Sequence, residues 1–372
     1  MKFTLSKKQL ISVLDKVSTA LPTRSTSNIL MGILIEVNDS GIMKITGSDN
    51  EIRIEQTVPV SVFEPGSIVL PGKLFVSIIR SMPDEDITVT CGEDYIASVT
   101  TSKSSFRIAS LDAREYPASD PYIEDKTIKI KKETFTDIIT KTTFAASKVD
   151  SRGVLVGVLL DIREDNITFV SLDGFRMVVV RSALNQPVAE PAKIIISARI
   201  LNEIAKLLSS SDFEEEELEI GFNETKKNAR IASRNINITI SLISGNYLDY
   251  ENLLPLQFET EAILSRDTFR QSVERAALMS TDGRNNLIKL KFTDKELNIT
   301  AKSDSGHYHD RIPITLKGPE IEIGFNAKYV LDGLKAIDDE TIVFSLETSI
   351  KPCTITPEND GYIYMILPVR VS

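Results

Sequence analysis

Ile128-Lys129-Ile130-Lys131-Lys132-Glu133-Thr134-Phe135-Thr136-Asp137-Ile138-Ile139 opens the stretch of sequence that decides the fold. Its alternating start predicts a strand, and the apolar residues Phe135, Ile138 and Ile139 recur at the spacing of an amphipathic helix. Three further strands are predicted from the apolar runs that follow, at 154–160, 166–170 and 178–180. The stretch from Ile128 to Leu184 therefore predicts a unit of one strand, one helix and three strands.

The same unit occurs three times along the chain. Phe3–Leu10 repeats its opening about 125 residues earlier, and Ile263–Phe269 repeats it about 134 residues later. Two short patterns recur in step, first Ser48-Asp49, Leu172-Asp173 and Ser303-Asp304, then Gly72-Lys73-Leu74, Ala198-Arg199-Ile200 and Ala327-Lys328-Tyr329. We therefore predict an α+β fold of three tandem domains, each built from two β-α-β-β-β units, with boundaries at 1–120, 126–250 and 256–372.

Length and composition agree with several soluble domains. The chain has 372 residues, 42% of them hydrophobic, which is too long for one core and sufficient for three. No window is long and apolar enough to span a bilayer, and residues 1–20 lack the apolar region of a secretory signal. Cys91 and Cys353 lie in different repeats, which favours two unpaired thiols in a reducing, cytoplasmic location.

The distribution of charge gives the first indication of function. The net charge is −10, yet each of the six predicted helices is net positive and begins with a Lys or Arg in or beside its first turn. The helix dipole disfavours a cation there by about 0.3–1 kcal/mol, so we interpret the six helix starts as facing one shared polyanion. The alternative is that they are ordinary solvated helix faces. Basic helices on an acidic chain suit a protein that encircles DNA and holds its phosphates without sequence preference.

Signals for catalysis are weak. The run from Gly66 to Leu74 resembles a phosphate-binding loop, but five residues separate its glycines and Leu74 stands where Ser or Thr should bind magnesium. His307 and His309 could ligate a metal, although their counterparts in the other repeats are not histidines. We predict a non-enzyme with no cofactor and no metal. The alternatives are a metal-dependent DNA-modifying enzyme that uses His307 and His309, and an interaction scaffold unrelated to DNA.

Four stretches carry a resemblance to a known family: Met1–Leu5, Asp173–Met177, Gly324–Asp332 and Leu367–Arg370. They are similar to those of the bacterial DNA polymerase III beta subunit, the replication sliding clamp, and the similarity covers essentially the full chain. The resemblance implies a head-to-tail homodimer closed into a ring, with sheets outside and helices lining the hole. It further implies a non-catalytic ring that slides on duplex DNA, tethers DNA polymerase III and confers processivity.

The resemblance also implies site residues. It carries DNA contacts over to Arg24, Lys73, Arg80, Lys148, Arg152 and Arg199. It places Phe106 and Ile108 of one copy against Leu278 and Met279 of the other. It implies a pocket for short linear peptides from polymerases, the clamp loader and repair proteins, formed by Leu155, Leu172, Gly174, Arg176, Met177, Leu248, Leu253, Leu367, Pro368, Val369 and Arg370. The chain departs from the family pattern near this pocket at Phe175, Leu248 and Asn252, where the family often has His, Pro and Arg.

Overall fold

The structure, a computed structural model, describes residues 1–24, 27–118, 126–188, 190–210, 216–223, 227–233, 235–280, 286–358 and 361–370. The helices in these ranges are α1 Lys7–Val17, α2 Gly72–Ser81, α3 Lys132–Thr142, α4 Ala198–Leu208, α5 Arg266–Ser280 and α6 Ala327–Lys335. The strands up to residue 131 are β1 Lys2–Ser6, β2 Gly32–Val37, β3 Ile42–Ser48, β4 Ile52–Pro59, β5 Ser61–Glu64, β6 Gly66–Pro71, β7 Asp86–Cys91, β8 Ile96–Thr100, β9 Ser105–Ala109 and β10 Lys126–Lys131.

The strands of the remaining chain follow the same repeating order. They are β11 Gly157–Arg163, β12 Asn166–Leu172, β13 Arg176–Ala183, β14 Ala192–Ser197, β15 Glu217–Asn223, β16 Asn228–Ala232, β17 Ile236–Ser241, β18 Thr260–Ser265, β19 Leu287–Phe292, β20 Glu296–Ser303, β21 Gly306–Pro313, β22 Thr315–Lys317, β23 Ile321–Asn326, β24 Thr341–Leu346, β25 Cys353–Pro357 and β26 Tyr362–Ile366. The described chain forms two compact units, one of Met1–Phe135 with Glu203–Leu242 and one of Thr136–Asn202 with Ile243–Ser372.

Helix α1 forms where local signals predict it, since Ser6 is a suitable N-cap and Leu10, Val13, Leu14 and Val17 recur at helical spacing. The side chain of Ser6 caps the helix by accepting a hydrogen bond from the backbone N–H of Gln9. The predicted apolar stripe is buried on one face, at Leu10, Val13, Leu14 and Val17. Burial of this stripe fixes which side of the helix faces the core, so the polar side is left for solvent or ligands.

The first unit contains two antiparallel sheets. One has the order β5-β1-β7-β8-β9, and the other has the order β10-β15-β16-β17-β4-β3-β2-β6. In the second sheet β17 pairs with β4, so that Ile238 lies opposite Ile54. This pairing joins strands that the sequence assigns to different repeats, which the repeat pattern alone did not predict.

The second unit also contains two antiparallel sheets, of nine and four strands. The larger has the order β14-β11-β12-β13-β26-β25-β24-β18-β22, and the smaller has the order β21-β20-β19-β23. Phe344 lies at the centre of an aromatic core, with its ring centroid 5.8, 5.5 and 5.9 Å from those of Phe269, Phe292 and Phe325. Such tilted and edge-on contacts are the favourable arrangements for aromatic rings.

The structure corrects several predicted strands. The sequence predicts a strand at 29–37, but β2 begins only at Gly32, because Asn28–Met31 form a 3₁₀ turn. The strand β5 was not predicted. The sequence predicts a last strand at 362–371, but β26 ends at Ile366. Pro368 has no N–H for a ladder, and the backbone N–H of Val369 donates to the carbonyl of Gly324. The sequence also predicts a linker at 116–121 and a solvated acidic turn at 214–217, and part of each lies outside the described residues.

Candidate functional sites

A tight turn between β12 and β13 begins the first candidate site. The Oδ1 of Asp173 accepts hydrogen bonds from the backbone N–H groups of Phe175 and Arg176, at 2.9 and 3.2 Å. Gly174 has a φ of +91°, which a residue with a side chain rarely adopts. The turn leaves the ring of Phe175 half exposed and stacked on the ring of Tyr329, with 6.0 Å between centroids.

Arg176 is buried at the base of this turn. Its Nε donates to Asp173 at 3.0 Å, its Nη1 to Asp332 at 2.7 Å, and its Nη2 to the carbonyl of Phe144 at 3.1 Å. The guanidinium also lies over the ring of Tyr329, 4.5 Å from the centroid. Burial would lower the pKa of Arg176, but its hydrogen bonds and neighbouring acids raise it above its ordinary value. Because these donors are engaged internally, the main contribution of Arg176 is to hold the wall of the site.

These residues form the base of an open cleft of about 380 Å³. Three aromatic rings and three exposed bases line it, together with the acids that bind Arg176. Its lining is Phe144, Ala146, Ser147, Lys148, Val149, Arg152, Asp173, Phe175, Arg176, Lys328, Tyr329 and Asp332. Of the predicted residues, Arg176 lines the cleft, and so do Lys148 and Arg152, which were predicted to contact DNA.

The predicted apolar pocket residues lie in the same unit, on and around one buried cluster. Leu172 and Met177 are part of this cluster, and Leu155 packs against it. Leu248 and Leu253 are 48% and 43% exposed. The remaining predicted residues are the exposed Gly174, Leu367 and Arg370 and the half-buried Pro368 and Val369. The backbone N–H of Leu367 donates to the carbonyl of Phe175, which ties the C-terminal segment to the turn.

The sequence prediction did not include Tyr329 and Asp332 as site residues. Both lie in the quoted stretch Gly324–Asp332, on helix α6, but their contacts are with residues about 150 positions away in sequence. The available signal was the spacing of Tyr329 and Asp332, which puts them on one face of a helix. That spacing alone does not reveal the partner of either side chain.

The six basic helix starts fall into two groups. In α1, α3 and α5 the base is the first residue and is half buried, whereas in α2, α4 and α6 it is the second residue and is exposed. The ammonium of Lys7 donates to the carbonyls of Arg80 and Met82 at the end of α2, and the guanidinium of Arg266 donates to the carbonyl of Ile337 beyond α6. These two bases stabilise the end of a neighbouring helix, so the interpretation of all six as facing a polyanion is too broad.

The exposed group is Lys73, Arg199 and Lys328. Arg24, Lys148 and Arg152 are exposed as well. Arg80 is also exposed, and its guanidinium donates to Asp15 at 2.7 Å. The predicted DNA contacts are therefore all accessible to a ligand within their own units.

The predicted dimer residues lie on the edge strand β9 and at the end of α5, which packs against the edge strand β21. β9 ends the five-stranded sheet and β21 ends the four-stranded sheet. Phe106 on β9 is 39% exposed, and Leu278 on α5 is 72% exposed. Met279 is half buried, whereas Ile108 is buried within the single chain and already contributes to its core.

Several features bear on the alternative functions. His307 and His309 are exposed on β21, and the Nε2 of His309 lies 3.4 Å from the Oδ1 of Asn298. Within the described residues, no three His, Cys, Asp or Glu side chains are grouped so as to hold a metal ion. Cys91 and Cys353 are both buried free thiols. No helix in the described part of the chain is long and apolar enough to cross a membrane.

Comparisons with known proteins identify the class of protein. The structure matches that of a DNA polymerase sliding clamp from Bacillus subtilis with a TM-score of 0.95, 31% identity and full coverage of both chains. It matches a putative DNA polymerase III beta subunit from Eubacterium rectale with a TM-score of 0.94, 27% identity and full coverage of both. It also matches a Pseudomonas aeruginosa sliding clamp solved with griselimycin, with a TM-score of 0.93, 26% identity and full coverage of both. The fold is thus that of the sliding clamps.

Family models and a curated relative identify the family. The models of the N-terminal, central and C-terminal domains of the DNA polymerase III beta subunit match residues 1–120, 129–249 and 251–370. The beta sliding clamp of Staphylococcus aureus is 31% identical over 381 residues, covering 100% of this chain and 99% of the relative. The chain belongs to the DNA polymerase III beta subunit family. The predicted resemblance and the α+β fold of three family domains are confirmed, and the alternative of a metal-dependent enzyme is not supported.

Proposed function

We propose that this protein is a replication sliding clamp, a ring of two copies that encircles duplex DNA and slides along it. The observation that carries the proposal is the match of all three family domains, in order, along a chain that aligns end to end with the Bacillus subtilis sliding clamp. The clamp is a non-catalytic subunit. It acts where the chromosome is replicated, in the cytoplasm.

Accessible bases on the helices support the DNA contact. Lys73, Arg199 and Lys328 each occupy the second residue of a helix and are exposed. Phosphate contacts of this kind are weak, salt-sensitive and independent of sequence, which is what sliding requires. We assign the DNA-facing surface to the predicted set together with Lys328, namely Arg24, Lys73, Arg80, Lys148, Arg152, Arg199 and Lys328.

Two open sheet edges support ring closure. An edge strand presents unpaired backbone groups that can pair with another chain, and β9 and β21 are both edges among the described strands. We propose that β9 of one copy joins β21 of the other in a head-to-tail contact, which closes after two copies. Phe106 and Ile108 would then pack against Leu278 and Met279.

The cleft and apolar surface of the second unit support a peptide site. Stacked Phe175 and Tyr329 form one wall, and the exposed Leu248, Leu253 and Leu367 provide apolar surface in the same unit. A mainly apolar site with a few polar groups suits a short peptide with hydrophobic ends. We propose that DNA polymerase III, the clamp loader and other polymerases and repair proteins dock here, and that griselimycin, found on the Pseudomonas aeruginosa clamp, binds here as well.

The mechanism we propose is topological. A closed ring cannot leave circular DNA, so a polymerase bound to the ring stays near the primer end at high effective concentration. Processivity then rises without any chemistry performed by the ring. A separate clamp loader opens the ring and loads it onto DNA.

The experiment that tests this function compares circular with linear DNA. The protein is loaded onto nicked circular plasmid by the clamp loader of the same organism, and DNA-bound protein is separated by gel filtration at moderate salt. We expect retention on the circle and loss after a restriction enzyme linearises it. A Leu278→Glu variant, which places a charge in the proposed contact between copies, should behave as a monomer and fail to be retained. Equal retention on circular and linear DNA would overturn encirclement.

A further inference from the structure

The segment that follows β17 is held against the second unit by a series of polar contacts. The backbone N–H of Ile243 donates to the carbonyl of Ile195 at 2.9 Å, and the hydroxyl of Tyr247 donates to the carbonyl of Gly157 at 3.3 Å. The hydroxyl of Tyr250 donates to the Oδ2 of Asp161 at 3.0 Å. The inward-facing Tyr247, Tyr250 and Leu254 all pack on the same cluster. Leu248 and Leu253, between them, remain exposed.

Asp161 is the most buried anchor of this segment. Its side chain is 2% exposed, on β11, where burial of an unpaired carboxylate would be very unfavourable. Three groups compensate its charge: the Nη2 of Arg163 at 2.9 Å, the hydroxyl of Tyr250 at 3.0 Å and the Nζ of Lys193 at 3.4 Å. Arg163 in turn donates to Glu251 at 2.9 Å, which adds a second link from β11 to the same segment.

The protonation states of Asp161 and Tyr250 suit a permanent hydrogen bond between them. Burial would raise the pKa of Asp161, but the hydrogen bonds from Arg163 and Tyr250 and the charge of Lys193 keep it below its usual range. Burial and the neighbouring Asp161 raise the pKa of Tyr250 to about 12, so its hydroxyl remains a donor. The acceptor and the donor thus keep their roles across the physiological pH range.

The side chain of Tyr250 connects Asp161 to the apolar cluster. Tyr250 is buried among the residues of that cluster, which include Leu172 and Met177 of the predicted peptide pocket. Leu248 and Leu253 lie two residues before and three residues after it. A shift of the Tyr250 ring would therefore move both exposed leucines relative to Leu172 and Met177.

We propose that Asp161 is a positioning residue for the peptide site: through Tyr250 and Arg163 it fixes the segment 247–254 so that Leu248 and Leu253 face the incoming ligand. This inference rests on the peptide site proposed above. Asp161 does not touch the ligand. Its effect is to remove alternative arrangements of the segment before binding, which lowers the ordering cost of association.

The test uses griselimycin as the probe and isothermal titration calorimetry on the full chain. Tyr250→Phe removes only the hydroxyl that reaches Asp161, and Asp161→Asn removes the charge while keeping a similar shape. We expect each to weaken binding about fivefold to tenfold, at the lower end of the range typical of coupling between sites. The double variant should lose less than the sum of the two single variants, because both changes affect the hydrogen bond between Asp161 and Tyr250. Thr260→Val, which removes another buried hydroxyl of this unit, is the matched control and should bind as the wild type does.

A spectroscopic readout separates positioning from loss of stability. The chain has no tryptophan, so Asn246→Trp, at an exposed position of the segment, would be the only indole. In that background Tyr250→Phe should increase quenching of the indole by acrylamide in the folded, ligand-free protein, whereas Thr260→Val should not. Unchanged quenching and unchanged affinity would overturn the positioning role while leaving the peptide site intact. Absence of binding by the wild type would overturn the peptide site itself, and this inference with it.

Discussion

The guanidinium of Arg80 on α2 donates a hydrogen bond of 2.7 Å to the carboxylate of Asp15 on α1. Both side chains are well exposed, at 60% and 47%, so the pair contributes little to stability. It has a consequence for function, however. Arg80 belongs to the proposed DNA-facing set, and Asp15 neutralises part of its charge before any phosphate arrives.

Removal of Asp15 should therefore strengthen DNA binding. In Asp15→Asn the free guanidinium gains a phosphate contact, and the slope of log affinity against log salt concentration should steepen by about 0.9. The measurement is fluorescence anisotropy of a labelled duplex at several salt concentrations. Asp39→Asn makes the same change of charge at an exposed turn of the same unit and is the control. An equal gain in both variants would mean that only net charge matters.

The two groups of helix-start bases should separate stability from DNA binding. Lys7→Met removes the cation that binds the carbonyls at the end of α2, and we expect a loss of about 1 kcal/mol in the free energy of unfolding. Lys73→Met should leave stability within about 0.5 kcal/mol but weaken DNA binding. Urea unfolding and duplex anisotropy measure the two effects.

The neighbouring lysine provides the control for the first of these variants. Lys8 is exposed in the same turn of α1, and Lys8→Met changes the net charge by the same amount. It should unfold at the same urea concentration as the wild type. If Lys8→Met and Lys7→Met were equally destabilised, the contact with the end of α2 would not be the cause.

Replacement of Arg176 should damage both stability and ligand binding. Arg176→Met leaves Asp173 and Asp332 without their buried counter-ion, which should cost about 3 kcal/mol. Tyr329 also loses the guanidinium stacked on its ring, so griselimycin binding should weaken. Urea unfolding and calorimetry measure the two effects. Arg181→Met, at an exposed position of the same strand, should change neither.

A second substitution tests whether Arg176→Met loses stability because it leaves an acid unpaired or because it removes packing. Asp332→Leu in the Arg176→Met background removes the carboxylate that lies closest to the guanidinium in the wild type, at 2.7 Å. We expect it to restore part of the lost stability, because a buried pair can often be replaced by apolar groups at small cost. A further loss of stability in the double variant would contradict this account of Arg176.

The sequence predicts local structure well where the deciding contacts are local. Ser6 and the apolar stripe of α1 are a cap and a face within one helix, and both were predicted. The pairing of β17 with β4 was not predicted, because it depends on a contact between residues about 180 positions apart that no local pattern encodes. The early end of the last strand has a local cause in Pro368, but the prediction continued the strand through this residue.

The candidate sites likewise depend on contacts between residues that are distant in sequence. The resemblance to the family indicated Arg176, but only the structure shows that its guanidinium is bound by Asp332, far away in sequence. The basic helix starts were visible as a pattern. The sequence could not separate Lys7, which reaches the end of a neighbouring helix, from Lys73, which remains exposed, because their local sequences give the same signal.

The edge strand β21 should owe part of its stability to one ionised carboxylate. The Oδ2 of Asp310 accepts hydrogen bonds from Arg275 at 2.6 Å, from Ser272 at 2.8 Å and from Tyr308 at 2.9 Å. Burial would raise the pKa of Asp310, but these three donors lower it to about 2. Arg275 and Ser272 lie on α5, so the network fastens the edge strand to the helix that carries Leu278.

The effect of pH follows from the direction of this shift. The pKa of Asp310 is lower in the folded chain than in the unfolded chain, where it is about 3.9. Its stabilising effect is therefore complete above about pH 4 and is lost as the pH falls towards about 2.

Asp310→Asn should lower the free energy of unfolding by about 1 kcal/mol at pH 7, after allowance for the exposure of Arg275. The difference from the wild type should shrink between pH 4 and pH 3, as urea unfolding at each pH would show. Asp304→Asn, at an exposed turn beside the same strand, is the control and should show no such dependence on pH. If the difference between Asp310→Asn and the wild type stayed constant with pH, the carboxylate would stabilise the strand by packing and not by its charge.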